Sequence, residues 1–182
     1  NMSIGHFNSM NIELVSIFFM LISSLPFLLL FQFTKGKFSE LLKNSQVHFF
    51  FIIVSFLTIV IAFWLQRYYE VNFLQALRIS IFSVVSITTG SGFSTYDFSA
   101  WGSFTTLLLL FFMLIGGCSG SSSCGLKVFR LQILLNNTFA LIKKIIQPRG
   151  VFIPTYNSKT ISNEISTSVA GFFFLYMTIF AL

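Results

Sequence analysis

Charge is what this chain has least of. Only 9% of its 182 residues are Asp, Glu, Lys or Arg, and five of these are acidic. A soluble domain carries about 25% charged residues to cover its surface, so a soluble globule is excluded. The acidic residues Glu13, Glu40, Glu70, Asp97 and Glu164 are scattered, and His6 and His48 lie in different regions. No carboxylate pair or nucleophile–base set can be assembled from them, which argues against an enzyme; the acidic residues read as interfacial or loop positions. Cysteine is scarce too. Cys118 and Cys124 alone cannot make the framework of a small secreted disulfide domain, and with no nearby histidine they are a weak metal site. Disorder is excluded by a hydrophobic fraction of 55%. The net charge of +6 lacks a basic stripe interleaved with aromatics, so nucleic acid is not the partner.

What the chain does have is apolar runs, rich in its 26 phenylalanines. Leu14 to Phe33 is uncharged and spans roughly 30 Å as a helix, the thickness of a hydrocarbon core. Pro26 lies inside it, which membrane helices tolerate. Val47 to Leu65 is a second span, and Trp64 at its end with Tyr68 and Tyr69 beyond it reads as an interfacial belt. Phe73 to Ile87 is too short to cross comfortably, at about 22 Å, and carries Arg78. It reads either as a poor span followed by a loop or as a re-entrant pore helix. A fourth segment starts near Phe104, is interrupted at Gly116 to Gly125, and resumes from Leu126 to about Ile146. A last run, Val169 to Leu182, stops with the chain. The fold class is all-α, in a multi-pass membrane protein whose lipid contacts are these runs.

The basic residues separate the two readings of the third segment. Lys35, Lys37 and Lys43 follow the first run, and Lys143, Lys144, Arg149 and Lys159 follow the fourth. Only Arg67 and Arg78, with Glu70, lie between the second span and the polar loop after Ile87. Both basic loops belong in the cytoplasm, which requires an even number of crossings between them. The second and fourth segments supply two. Charge placement therefore favours the re-entrant reading of the third.

That segment runs into Thr88-Thr89-Gly90-Ser91-Gly92-Phe93-Ser94-Thr95, too polar to face lipid. Glycine permits the dihedrals that aim successive carbonyls one way, and a helix C-terminus favours a cation. Between Gly116 and Gly125 every residue is Gly, Ser or Cys. Gly116-x-x-x-Gly120 reads as a helix-packing motif, or the stretch as an unwound segment lining a cavity, little fixed by packing. It is no phosphate loop, because Leu126-Lys127 replaces the Lys-Ser/Thr that chemistry needs. Lys127 either snorkels to the inner interface or faces inward as an electrostatic barrier.

Together, Ser86-Ile87-Thr88-Thr89-Gly90-Ser91-Gly92-Phe93, Ile115-Gly116-Gly117-Cys118-Ser119-Gly120-Ser121 and Lys127-Val128-Phe129-Arg130 resemble the membrane subunit of TrkH-type potassium transporters, in the Trk/Ktr/HKT superfamily. The resemblance extends to Ile4-Gly5-His6-Phe7-Asn8-Ser9 and Gln147-Pro148-Arg149-Gly150-Val151. It implies a potassium-channel-like architecture of four membrane helix–re-entrant pore helix–membrane helix repeats, present here incompletely. Residues 1–46 would end a preceding repeat (spanning helix 14–33 and a cytoplasmic loop). Residues 47–146 would be one whole repeat, with helix 47–68, pore helix 73–87, filter loop 88–95 and broken helix 104–146. Residues 147–182 would be a cytoplasmic loop and the truncated first helix of the next.

The resemblance further implies a potassium filter at Thr88, Thr89, Gly90, Ser91, Gly92 and Phe93. It implies a gate at Gly116, Gly117, Ser119, Gly120, Ser121, Ser122, Ser123, Gly125 and Lys127. Cys124 stands where the family usually has a further glycine. The transported ion it implies is K+, with no cofactor expected in this chain and no metal beyond K+. Implied partners are membrane lipid, the missing repeats, a second copy of the full subunit and a cytoplasmic nucleotide-binding regulatory subunit. The implied location is the plasma (inner) membrane. With one filter quarter of four, the chain is expected to be a fragment, a split-gene product or a degenerate remnant, and the competing function is a non-conducting membrane scaffold.

Overall fold

The computed structural model describes residues 4–7, 9–69, 71–150, 152, 154–157 and 159–182. Glu70 of the charge count, and Asn8 and Val151 of the motif matches, lie outside them. The chain divides into two compact units, residues 1–127 and 128–182.

Among its described residues the first unit holds six α-helices: α1 (Met10–Ser23), α2 (Phe27–Thr34), α3 (Phe38–Lys43), α4 (Ser45–Tyr69), α5 (Phe73–Thr89) and α6 (Gly102–Met113). α4 is the long span. Its buried stripe of Val47, Phe50, Val54, Leu57, Ile61 and Leu65 recurs every three or four residues. The opposite face carries Ile52, Phe56, Ile59 and Phe63, all exposed and all apolar. A helix apolar all round is one whose outer face meets lipid. At its end Trp64 donates through Nε1 to the Trp101 carbonyl at 3.3 Å, and the Tyr69 hydroxyl to the Ala100 carbonyl at 2.6 Å. The aromatic belt thus also anchors the turn that starts α6.

α5 packs on α4, α1 and α6. Its first turn is exposed at Phe73 and Leu74, whereas Phe82, Ser83, Val84, Val85, Ser86, Thr88 and Thr89 are buried. Burial on consecutive positions means that the second half of the helix is enclosed by protein on every side. Its length of 17 residues, about 26 Å, fits a half-buried descending helix better than a span. The structure carries it two residues past the expected end, through Thr89. The two threonines sustain the last turn by donating back: Thr88 Oγ1 to the Val84 carbonyl at 2.8 Å and Thr89 Oγ1 to the Ser86 carbonyl at 3.4 Å.

The first span differs from expectation. Residues 14–33 do not form one continuous helix: α1 and α2 meet at a bend of 106°. Ser23 and Ser24 both turn their hydroxyls onto the Met20 carbonyl, at 2.7 and 3.0 Å, and Pro26 supplies no N–H. The residue before proline is also driven out of the helical region. The short helix α3, within the basic loop, was not anticipated.

The second unit contains α7 (Val128–Ile146), the two-residue strands β1 (Thr155–Tyr156) and β2 (Lys159–Thr160), and α8 (Asn163–Ala181). Ile133, Ile161 and Val169 form its core, with Phe129, Leu134 and Tyr156 packed against them. The Arg130 guanidinium lies 3.8 Å from the centre of the Phe172 ring. Ser162 caps α8, so that helix begins six residues before the apolar run at Val169. By length and composition α4 and α8 can each cross a membrane, and the bent pair α1–α2 makes a third if counted as one span.

Candidate functional site

The site grows from the C-terminus of α5. Gly90 takes the left-handed conformation, φ 72°, that ends a helix cleanly. Its N–H bonds the Ile87 carbonyl at 3.1 Å and the Ser91 N–H bonds the Ser86 carbonyl at 3.1 Å. Gly92 is again left-handed, φ 72°. Past this point the backbone oxygens divide sharply. The Phe93 carbonyl accepts the Ser86 hydroxyl at 2.5 Å, and the Ser94 carbonyl accepts the N–H groups of Ile4 and Gly5 at 3.2 and 3.4 Å. The carbonyls of Thr88, Thr89, Gly90, Ser91 and Gly92 receive no hydrogen bond from another described residue. Of the six residues read as a filter, five therefore keep a free carbonyl. Phe93 does not, because its oxygen ties the loop back to its own helix.

Residues 114–127 lie between α6 and α7 and hold the small-residue segment. Its ends are clasped by Gly116 N–H to the Leu126 carbonyl (2.9 Å) and Leu126 N–H to the Leu114 carbonyl (2.8 Å). Within the loop Gly117 N–H bonds Ser123 Oγ at 2.9 Å, and the Ser121 and Ser123 hydroxyls meet at 2.7 Å. The segment also docks on the bend between α1 and α2. Cys118 N–H donates to the Ser24 carbonyl at 3.0 Å, Ser122 donates from both N–H and Oγ to the Ser23 carbonyl, and Phe27 N–H donates to the Gly120 carbonyl at 3.0 Å. On α4, Gln46 Oε1 accepts from Ser119 N–H at 2.9 Å. Two helix breaks thus satisfy each other's backbone groups, which lipid would leave bare.

This corrects the expectation of a loop little fixed by packing. Gly and Ser are there because backbones approach closely. A Cβ on Gly117 would sit 2.5 Å from Ser123 Oγ and 2.9 Å from the Ser24 carbonyl oxygen. Lys127 gains partners that its spacing did not reveal. Its ammonium folds back over its own loop onto the carbonyl and hydroxyl oxygens of Ser121 and Ser123. The loop also touches the filter-like segment: a Cβ on Gly90 would meet Cys124 Cβ at 3.7 Å.

One pair was missed. Glu13 is not a loop residue; it lies in the first turn of α1 and is buried, and Arg78 Nε of α5 donates to its Oε2 at 2.6 Å. A lone base inside one apolar segment and a lone acid beside another were the available signal. Pairing residues 65 positions apart was not local information. On the same side of the site Ser91 Oγ lies 2.8 Å from Met20 Sδ.

With this geometry in hand, known proteins can be set beside it. The chain is 34% identical to the Trk system potassium uptake protein TrkH of Halomonas elongata, over 99% of this chain and 38% of that protein. It is 32% identical to the Trk system potassium uptake protein TrkH of Escherichia coli K12, over 98% of this chain and 37% of that one. The crystal structure of the potassium transporter TrkH from Vibrio parahaemolyticus superposes with a TM-score of 0.92 at 32% identity, over 99% of this chain and 39% of that one. The chain thus spans less than two fifths of the length of these relatives. The likeness carries the fold, a mostly helical multi-pass membrane protein with membrane helices and a pore helix. The family profile of TrkH, described as a cation transport protein, matches residues 1–182, and the chain belongs to that family.

Proposed function

We propose that this chain contributes one repeat, residues 47–146, and parts of two neighbours to a potassium uptake path. The observation that carries it is the row of free carbonyls from Thr88 to Gly92 at the protein-enclosed end of α5. Thr88 and Thr89 are buried while Gly90, Ser91 and Gly92 are exposed; oxygens that accept no hydrogen bond, on an open stretch rooted in a buried helix end, suit the replacement of a cation's water shell. The helix end behind them adds a negative dipole. In this reading Thr88, Thr89, Gly90, Ser91 and Gly92 face the ion, and Phe93 holds the loop in place. The named relatives are potassium uptake proteins, which supports K+ as the ion. The clasped segment from Gly116 to Gly125 is the gate and Lys127 its latch. Residues 1–46 end the preceding repeat and residues 147–182 open the following one. The remaining repeats complete the path, a second copy of the full subunit and a cytoplasmic nucleotide-binding subunit complete the assembly, and the location is the plasma (inner) membrane.

The test is Gly92→Ser in the complete transporter, expressed in cells deficient in potassium uptake. A Cβ on Gly92 meets nothing within 4 Å, so the disturbance is confined to a φ that side chains rarely adopt. Potassium uptake or its preference over sodium is expected to fall at unchanged membrane abundance. Unchanged uptake and unchanged preference mean that the loop is a connector.

A further inference from the structure

The pore helix α5 is held mostly by contacts that have little direction. Ala76, Ser80 and Ser83 are buried along it at helical spacing, and the Ser80 hydroxyl finds no partner among the described residues. Small and apolar contacts resist separation, yet they hardly resist a slide or a rotation. A rotation of about 20° moves atoms on a backbone cylinder of about 2.3 Å radius by about 0.8 Å. Functional constellations tolerate about 0.5 Å. A row of carbonyls at the end of such a helix needs a directional restraint further up.

The Glu13–Arg78 pair has that property. It joins α1 to α5 through a charge-assisted bond of 2.6 Å, with the carboxylate side chain 7% and the guanidinium side chain 32% exposed. About 16 Å of rigid helix separates Arg78 from Thr89. A buried ion pair adds little stability over an apolar pair of the same shape, and its best-attested use is to specify one arrangement among several. We propose that Glu13 and Arg78 are positioning residues that fix the rotation of α5, and so the register of the carbonyls from Thr88 to Gly92. The proposal rests on the filter reading above. Neither residue touches the ion; they act through the helix. The rest of the same segment cooperates, since Met20 reaches Ser91, and Ile4 and Gly5 hold the Ser94 carbonyl.

Three variants of the complete transporter test this: Arg78→Gln, Glu13→Gln and the double Glu13→Gln/Arg78→Gln. Each is read by rubidium uptake with sodium as competitor, at measured membrane abundance, with Gly92→Ser alongside. Arg78→Gln strands a buried carboxylate, so its preference for rubidium is expected to drop about tenfold or more. The double variant removes the restraint without stranding a charge. It is expected to keep normal abundance and lose about threefold, less than Arg78→Gln alone. Where Arg78→Gln fails to reach the membrane, the double variant carries the test: normal abundance with lowered preference supports the proposal. Normal preference in the double variant overturns it, as does a fall in abundance with preference intact, which is the signature of a purely structural pair. If Gly92→Ser alters preference and the double variant does not, the positioning role falls and the filter reading stands. If neither alters it, the filter reading falls and takes this proposal with it.

Discussion

Gly116→Ala isolates what the clasp of the small-residue loop is worth. The added Cβ would lie 1.9 Å from the Cys124 carbonyl oxygen, 2.9 Å from its carbon and 3.3 Å from the Gly125 carbonyl carbon. All three are backbone atoms, so no side chain can swing aside. An ordinary carbon–oxygen contact is about 3.3 Å, and one limb of the loop must therefore retreat by about 1.4 Å. That breaks the Gly116–Leu126 bond and strains the Leu126–Leu114 bond beside it, now 2.9 and 2.8 Å. Leaving two such groups unpaired away from water costs about 1–3 kcal/mol each, hence about 2–6 kcal/mol in all. Gly120→Ala is the control. Its φ of 76° makes alanine strained by about 1–2 kcal/mol, but a Cβ there meets nothing within 4 Å. Thermal unfolding of the purified protein in detergent reads both. Gly116→Ala is expected to unfold at a distinctly lower temperature than Gly120→Ala, with wild type above both. Equal midpoints for the two variants refute the claim that backbone closeness dictates glycine at residue 116.

Lys127→Met removes the cation that the Ser121 and Ser123 oxygens hold, and rubidium leak through the complete transporter should rise at unchanged abundance; flux equal to wild type speaks against a latch. Deleting Ser121 to Ser123 removes both acceptor residues of Lys127, the partner of Gly117 N–H and the bonds from Ser122 to Ser23. It should therefore give a poorly folded protein, seen as an aggregate peak in size-exclusion chromatography; a monodisperse peak would show the loop to be dispensable for folding. For topology, single cysteines at residues 37 and 144, in a background with Cys118 and Cys124 replaced, should resist an impermeant thiol reagent in whole cells while the exposed residues 96 to 98 react; outside labelling at residue 144 rules out a re-entrant α5.

What could be read from the chain beforehand follows from how far each signal reaches. The span at α4 is legible because its apolar character is continuous and local. The shortness of the segment from Phe73 to Ile87, set against the basic residues on either side, was enough to make it re-entrant. The exact end of α5 was not legible, since threonines are poor helix formers and whether their hydroxyls return to the previous turn is decided by the fold. The bend at Pro26 was underestimated because proline alone is compatible with a membrane helix. Its sharpness depends on groups about a hundred residues later, which accept and donate the bonds that the break sets free. The same holds for Glu13 with Arg78 and for Lys127 with its serines: the residue types were visible, but the partner was chosen by the fold.

The mutual satisfaction of the two helix breaks has a consequence for how the chain is made. Ser23 and Ser122 stand 99 positions apart, so the ribosome delivers the first break long before the second. During that interval the Ser23 and Ser24 carbonyls and the Phe27 N–H have no partner from the later segment, and each bare group in hydrocarbon costs several kcal/mol. The nascent segment from Met10 to Thr34 is therefore expected to stay hydrated at this break until residues 118–122 arrive. Integration of this protein is, on these bonds, a delayed and concerted event, and a chain arrested before Cys118 should leave residue 24 reachable by water-soluble thiol reagents that the finished protein excludes.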